Sequence, residues 1–389
     1  MAGSPPLSRA QPNRIRRTQL GQLHRVGGPS GTHIYRCWVE ARARTGRCRY
    51  TRPVRMLVIG GTQFVGRHIV EAAMEAGDEV TLFHRGRTNP GLFPQAEHRL
   101  GDRDHDLAAL EVGEWDATVD CSAYFPRQVA RLASALGGRG GTYLQISSVS
   151  AYSDDVTYGY GEDAPLRELA DPGTQDLTDE TYGGLKALCE LAAHREFGGG
   201  ANGVEGRGSA PVCVVRPTYV VGPWDHTGRF TWWVERVARG GRILAPGPAG
   251  SPLQVIDARD LARFVVLLSH RGAGGSFHTC WPAPPFSFGD FLALLLEVVG
   301  PPDCELVWME PAALIAAGLT SRELPLWGGD GSGLNVGAAD PSRALGAGLT
   351  PRALAETVVQ THQHELANPR SLPVGLEPGR ERELLAQFA

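Results

Sequence analysis

Met56-Leu57-Val58-Ile59-Gly60-Gly61-Thr62-Gln63-Phe64-Val65-Gly66 is the stretch that decides the fold. Its apolar run is short and shows no alternation, so it reads as a parallel strand buried on both faces. Gly60 and Gly66 open and close a strand-to-helix turn, which lets backbone approach a pyrophosphate at a helix N-terminus. In the spacing G-x-x-G-x-x-G the middle position is Gln63. Ile69, Val70, Ala73 and Met74 then share one helical face, and Gly77 is the stop. Such a turn at the first strand of an α/β pattern points to a dinucleotide. Gly60, Thr62, Gln63, Phe64, Val65 and Gly66 are its candidate contacts.

Outward from this unit, short apolar strands are expected at 79–83, 96–100, 117–120, 142–146 and 212–215, alternating with helical stretches. That alternation is the pattern of an α/β, doubly wound parallel (Rossmann) sheet. The glycine-rich stretch 198–210 reads as a surface loop. After Pro223 the pattern shifts to helices, proline-rich loops and tryptophans, with a return to the sheet at 255–270. The expected organisation is a Rossmann domain of 54–225 and 255–280, and a smaller discontinuous C-terminal substrate domain of 226–254 and 281–370. Residues 371–389 would be a tail.

Composition bounds the alternatives. A chain of 389 residues with 42% hydrophobic and 21% charged content fits a soluble globular protein. Residues 1–55 hold 12 arginines and one acid, Glu40, for a net +11, which leaves −15 on the remainder. A remainder that acidic argues against general nucleic-acid binding. Residues 1–53 read as an arginine-rich disordered extension, or as translated sequence upstream of a start at Met56; a targeting peptide is the third reading. The seven cysteines are odd in number and scattered without a CxxC pair, which fits reduced thiols in a cytoplasmic protein. No run of apolar residues is long enough for a membrane span. No metal is expected: His24, His33, Cys37 and Cys48 match no ligand spacing, and His362 and His364 read as a solvent-facing pair.

The chemistry concentrates elsewhere. The chain has 37 arginines and a single lysine, Lys186, four residues after Tyr182. On a helix that spacing puts both side chains on one face. An ammonium beside a phenol lowers its pKa from about 10, making a general acid/base for alcohol–carbonyl chemistry. Alone, the pair also reads as an ordinary helix-surface contact. Ser148 follows the expected fifth strand, at the end where parallel sheets bind ligands, and would orient the substrate oxygen. At the end of the second strand, where an NAD-binding chain carries an acid, stand His84 and Arg85, with Arg87 nearby. An arginine there suits a 2′-phosphate, so NADP(H) is favoured, with NAD(H) as the alternative. Trp224, His226, Arg229, Phe230, Trp232 and Trp233 read either as a substrate loop for a flat or carboxylated small molecule or, for the tryptophan pair, as core.

Gly60–Gly66, Asp102, Ser148, Tyr182/Lys186 and Arg216-Pro-Thr-Tyr-Val-Val-Gly-Pro223, in this order, resemble the short-chain dehydrogenase/reductase superfamily. The closer likeness is to its extended, atypical branch of NAD-dependent epimerase/dehydratase-like proteins, over residues 54–365. The resemblance implies Tyr182 as acid/base, Lys186 on the nicotinamide ribose, Ser148 as the catalytic hydroxyl, Asp102 at the adenine end, and Cys121 and Val220 bordering the cofactor. It also implies a homodimer. Val149 and Ser150 replace the Asp-Glu of the family's sugar dehydratases, which argues against water elimination. Leu253-Gln254-Val255-Ile256-Asp257 lacks the arginine of nucleotide-sugar enzymes. The expected function is therefore an NAD(P)-dependent oxidoreductase acting on a small-molecule carbonyl or alcohol. The alternatives are a cofactor-retaining epimerase and, because the glycine turn resembles that of chloroplast stem-loop-binding proteins, a cofactor-sensing or RNA-binding protein.

Overall fold

The computed structural model describes residues 52–201, 204–328 and 334–387, together with a two-residue strand at Arg14–Ile15. The expectations for residues 1–51 otherwise lie outside the described residues. The opening stretch forms strand β1 (Arg55–Ile59), its turn, and helix α1 (Phe64–Ala76), which ends on Gly77 in the left-handed conformation. Then follow β2 (Glu79–His84), β3 (Glu97–Leu100), β4 (Ala117–Asp120), α2 (Pro126–Leu136), β5 (Thr142–Ile146), α3 (Asp179–Glu196) and β6 (Val212–Pro217). Beyond β6 lie β7 (Tyr219–Val221), α4 (Arg229–Ala238), β8 (Arg242–Pro246), β9 (Val255–Asp257), α5 (Ala258–Arg271) and β10 (Gly275–Thr279).

Seven of these strands form one sheet in the order β10-β6-β5-β4-β1-β2-β3, every neighbouring pair parallel. The order reverses beside β1, so the crevice outside the carboxyl ends of β1 and β4 is the switch point where such sheets bind ligands. Parallel strands need cover on both faces. Ile69, Val70 and Ala73 of α1 join Leu261, Phe264 and Val265 of α5 on one face. Val129 and Leu132 of α2 join Cys189 and Ala193 of α3 on the other.

A further apolar cluster is built from α4, α6 (Phe288–Val298), β8 and its parallel partner β11 (Glu305–Met309), and α7 (Leu354–Ala367). Trp233, wholly buried there, donates its indole N–H to the Pro325 carbonyl. Three local features differ from the sequence expectation. The 198–210 loop carries a short antiparallel ladder, Gly200–Ala201 against Val204–Glu205. Ala344 and Leu349 pack on the first core, not the second. Residues 378–387, expected in a tail, form helix α8 (Pro378–Gln387), whose Leu384 and Leu385 are buried in the second cluster. The helix is short and charged on its outer turns, so its two buried leucines make a weak periodic signal.

Candidate active site

The turn after β1 builds the first part of the site. A Cβ on Gly66 would lie 2.2 Å from the Gly60 carbonyl oxygen, so only glycine lets α1 start this close to the strand. Gln63 caps α1 in an extended conformation (φ −136°), where a side chain costs no backbone strain and the middle glycine of the spacing is dispensable. No side chain caps the helix and its first turn has no acid, leaving N–H groups to receive an anion. Asn89 Nδ2 donates to the Thr62 carbonyl at 3.0 Å and braces the turn from outside.

A cleft of about 500 Å³ opens over this turn. Gly60, Thr62, Gln63, Phe64, Val65, Gly66, His84, Arg85, Asp102 and Cys121 all line it. Val220 and Lys186 do not; Val220 sits on β7, paired with Ile256. The glycine cradle and the uncapped helix start fit the pyrophosphate of a nicotinamide dinucleotide.

At the end of β2 the roles of His84 and Arg85 separate. His84 is buried, and its Nδ1 accepts the Gly86 N–H at 3.0 Å. Its Nε2 lies 2.8 Å from His98 Nδ1, and His98 Nε2 lies 3.0 Å from the Phe93 carbonyl. With both ring nitrogens engaged, His84 braces the turn and has no nitrogen left for a ribose. Burial and the neighbouring His98 hold its pKa below the ordinary value. Arg85 and Arg87 are exposed, and no described carboxylate pairs with either.

Arg103 is a residue that the sequence reading missed. It lines the cleft and binds Asp120 through two hydrogen bonds, at 2.7 and 2.9 Å, with Ser122 Oγ at 2.9 Å. Asp120 is fully buried and also accepts the Tyr143 hydroxyl and the Ser122 N–H. Burial pushes its carboxyl up, but Arg103 overrides this and leaves it below the usual carboxylate range. The available signal was two charges abutting predicted contacts: Arg103 follows Asp102, and Asp120 precedes Cys121.

Ser148, Tyr182 and Lys186 come together beside this cleft. Ser148 caps the short turn after β5 and accepts the Ser150 N–H at 3.1 Å. Tyr182, in the first turn of α3, lies close enough to Ser148 for that hydroxyl to favour its ionised form. The intervening glycines explain the close approach: a Cβ on Gly183 would lie 2.1 Å from the Ser150 carbonyl oxygen. Glycine inside a helix is unfavourable by about 1 kcal/mol, and here it is required by packing. Lys186 is buried and donates to the Ile146 carbonyl at 2.6 Å and the Ala123 carbonyl at 3.0 Å. Its ammonium also lies 5.5 Å from the ring of Tyr124, which lines the cleft.

The electrostatics differ from the expectation of a tyrosine acidified by its lysine. Burial raises the Tyr182 pKa above its ordinary value, and the nearby Ser148 hydroxyl and the Arg229 charge oppose it. The ammonium of Lys186 is spent on two carbonyls instead. Behind the site, Glu190 lies one turn beyond Lys186 and holds the Arg216 guanidinium at 2.6 Å and the Ser147 hydroxyl. Arg216 also donates to the Tyr152 hydroxyl, which lies 2.5 Å from His278 Nε2.

The loop after β7 splits in the same way. Trp232 and Trp233 are core, while Trp224 is exposed, with the Arg67 guanidinium 3.8 Å from its ring centroid. His226 lines the cleft. His362 pairs with Glu235 at 2.8 Å, and His364 packs on Trp224. Among the described residues no metal-ligand cluster occurs, the five cysteines form no disulfide, and no helix is long and apolar enough to cross a membrane.

No protein-family model matches the chain. The chloroplast stem-loop binding protein of 41 kDa b from Arabidopsis thaliana is 24% identical over 275 residues, 66% of this chain and 66% of that protein. The match thus spans just under two thirds of that relative's length. Among solved structures, UDP-glucose 4-epimerase from Thermotoga maritima superposes with a TM-score of 0.59 at 18% identity, covering 81% of this chain and 100% of that one. UDP-glucuronic acid 4-epimerase from Bacillus cereus, solved with NAD, gives 0.57 at 14% identity, covering 81% and 100%. The chain therefore has the fold of the extended, epimerase/dehydratase-like short-chain dehydrogenase/reductase proteins, as its motifs led one to expect.

Proposed function

We propose that this protein is a nicotinamide-dependent oxidoreductase acting on a small-molecule alcohol or ketone. The observation that carries the reading is the placing of the Tyr182 phenol close to Ser148, with Lys186 buried one turn on, beside a cleft floored by the glycine turn. The turn Gly60–Gly66 would hold the pyrophosphate, and Asp102 and Cys121 would border the adenosine and nicotinamide halves. Nicotinamide, when bound, supplies hydride exchange with a substrate carbon. The chain's own part is the proton. Tyr182 gives a proton to, or takes one from, the substrate oxygen, and Ser148 holds that oxygen at hydrogen-bond distance. Lys186 fixes the Ala123 and Ile146 carbonyls, keeping the ends of α3, β5 and the β4 loop in register.

NADP(H) is the favoured form. His84 has no nitrogen free for a ribose hydroxyl, no acid stands in its place, and Arg85 and Arg87 are exposed at the cleft without carboxylate partners among the described residues. The structural neighbours include 4-epimerases, so a cofactor-retaining epimerase built on the same three side chains is the second reading.

Titration of the full chain with NADPH and NADH, alongside Lys186→Arg and Tyr182→Phe, tests this. Expected are tighter binding of NADPH, weakened by the lysine change, and retained binding but no turnover in Tyr182→Phe. Tightly held nucleotide without net NADPH consumption assigns the epimerase. Binding of neither nucleotide overturns both, and salt-dependent RNA binding would then place the chain with the role named for its Arabidopsis relative.

A further inference from the structure

Tyr124 stands on the loop after β4, between two groups that pin its backbone. Lys186 Nζ donates at 3.0 Å to the carbonyl of Ala123, immediately before it. Gln128 Oε1 accepts the N–H of Tyr124 at 3.0 Å and that of Phe125 at 3.2 Å. Gln128 is itself buried, and its Nε2 donates to the two carboxylate oxygens of Asp104 at 3.1 and 2.9 Å. A loop held this firmly presents its side chain in a defined place, yet that side chain is uncovered. Tyr124 is 37% exposed and lines the cleft over the glycine turn. Its hydroxyl has no hydrogen-bond partner among the described residues.

The ring also stands where the cleft was expected to show Lys186. The lysine does not line the cleft, whereas Tyr124 does, and the ammonium lies 5.5 Å from the centre of the Tyr124 ring, within cation–π range. The ring is therefore what the cleft presents in front of the ammonium. Tyr182 precedes Lys186 by one turn of α3, so this wall belongs to the end of the cleft where the proton is handled. Sheet order agrees. Strand β1 separates β4 from β2, which puts this loop and the Arg85–Arg87 turn on opposite sides of the glycine cradle. The neighbouring charges agree as well: burial raises the Tyr124 pKa, Lys186 opposes this, and Tyr182 and Cys121 add to it. A pinned aromatic face with an unpartnered hydroxyl suits a ligand that offers both flat surface and sugar hydroxyls.

We infer that Tyr124 receives the nicotinamide–ribose half of the dinucleotide, its ring packing on that half and its hydroxyl hydrogen-bonding to it. The inference rests on the oxidoreductase reading and goes further. It assigns to a phenol the contact that the family resemblance gives to Lys186, and it leaves the lysine as a brace behind the ring.

The test titrates the full chain, Tyr124→Phe and Tyr124→Ala with NADPH and, separately, with adenosine 2′,5′-bisphosphate. The bisphosphate carries the adenosine end and lacks the nicotinamide and its ribose. In Tyr124→Ala, NADPH affinity should fall about tenfold, as for one hydrogen bond and a packed ring. The fall should be smaller in Tyr124→Phe. Bisphosphate affinity should be unchanged in both variants, which also shows that they are folded. Weakening in Tyr124→Ala alone keeps the inference for the ring and strikes the hydroxyl from it. Equal weakening of both ligands, or NADPH affinity unchanged or tighter in both variants, overturns the inference and leaves the oxidoreductase reading in place. A wild type that binds neither ligand sinks the two together.

Discussion

Acidification should destabilise this protein through one buried imidazole, His278 on β10. Its Nδ1 donates to the Asp340 carbonyl at 3.0 Å, and its Nε2 accepts the Tyr152 hydroxyl at 2.5 Å, beside the Arg216 guanidinium. A second ring proton would meet a hydroxyl already donating to it and a positive charge behind. Burial is the main cause of the shift; the Asp340 carbonyl resists it and Arg216 adds to it, taking the pKa from 6.5 to about 4. That difference corresponds to about 3 kcal/mol between the two protonation states. Because the folded pKa is the lower one, the unfolded chain binds more protons between the two values. The stabilisation is therefore complete above the unfolded pKa and is lost as pH falls through that window to about 4. Integrated from about pH 7 to about pH 5, His278 alone should remove about 2 kcal/mol. The assay is urea unfolding, followed by tryptophan fluorescence, of the wild type and His278→Gln at both pH values. Glutamine cannot take up the proton, so the variant should lose about 2 kcal/mol less over the interval, whatever its starting stability. Parallel declines in the two proteins would refute the argument and mean that His278 is already solvated or charged.

Other substitutions probe the packing that shapes the site. Gly66→Ala would force α1 off the Gly60 carbonyl; NADPH affinity measured by fluorescence should fall at least about tenfold. Gly183→Ala would drive a methyl into the Ser150 carbonyl, so despite its better helix propensity it should cost about 1–3 kcal/mol in urea unfolding and remove turnover. Glu190→Gln strands the buried Arg216 charge and should cost about 3–5 kcal/mol, readable as a lower thermal midpoint.

The two halves of the site were legible to different degrees. The glycine turn could be named because a phosphate cradle is a local object: strand, turn and helix start lie within a dozen residues. Asp102 and Cys121 lie far beyond it and were named only from the family resemblance. Ser148, Tyr182 and Lys186 were found by residue type and spacing, and the pair of glycines between Tyr182 and Lys186 carried a packing message that only the Ser150 carbonyl makes readable. Arg103 and Asp120 are 17 positions apart and were not paired in advance, because adjacency of strands β3 and β4 to the crevice is set by sheet order, not by sequence distance. The tryptophan pair remained ambiguous for the same reason. Trp224 and Trp233 look alike in a sequence, and only the second cluster decides that one is solvent-facing and the other core.

The sequence by itself determined the parallel sheet, the strand that starts it and the glycine turn, and it singled out Ser148, Tyr182 and Lys186 as candidates, since each follows from short-range periodicity, turn chemistry or side-chain type. The tertiary structure alone decided the charges. It spent Lys186 on two carbonyls, closed His84 into a chain with His98, and raised Tyr182 by burying it. The physical reason is that a pKa or an unpaired charge depends on burial and on neighbours brought from distant segments, and neither is encoded at any single position.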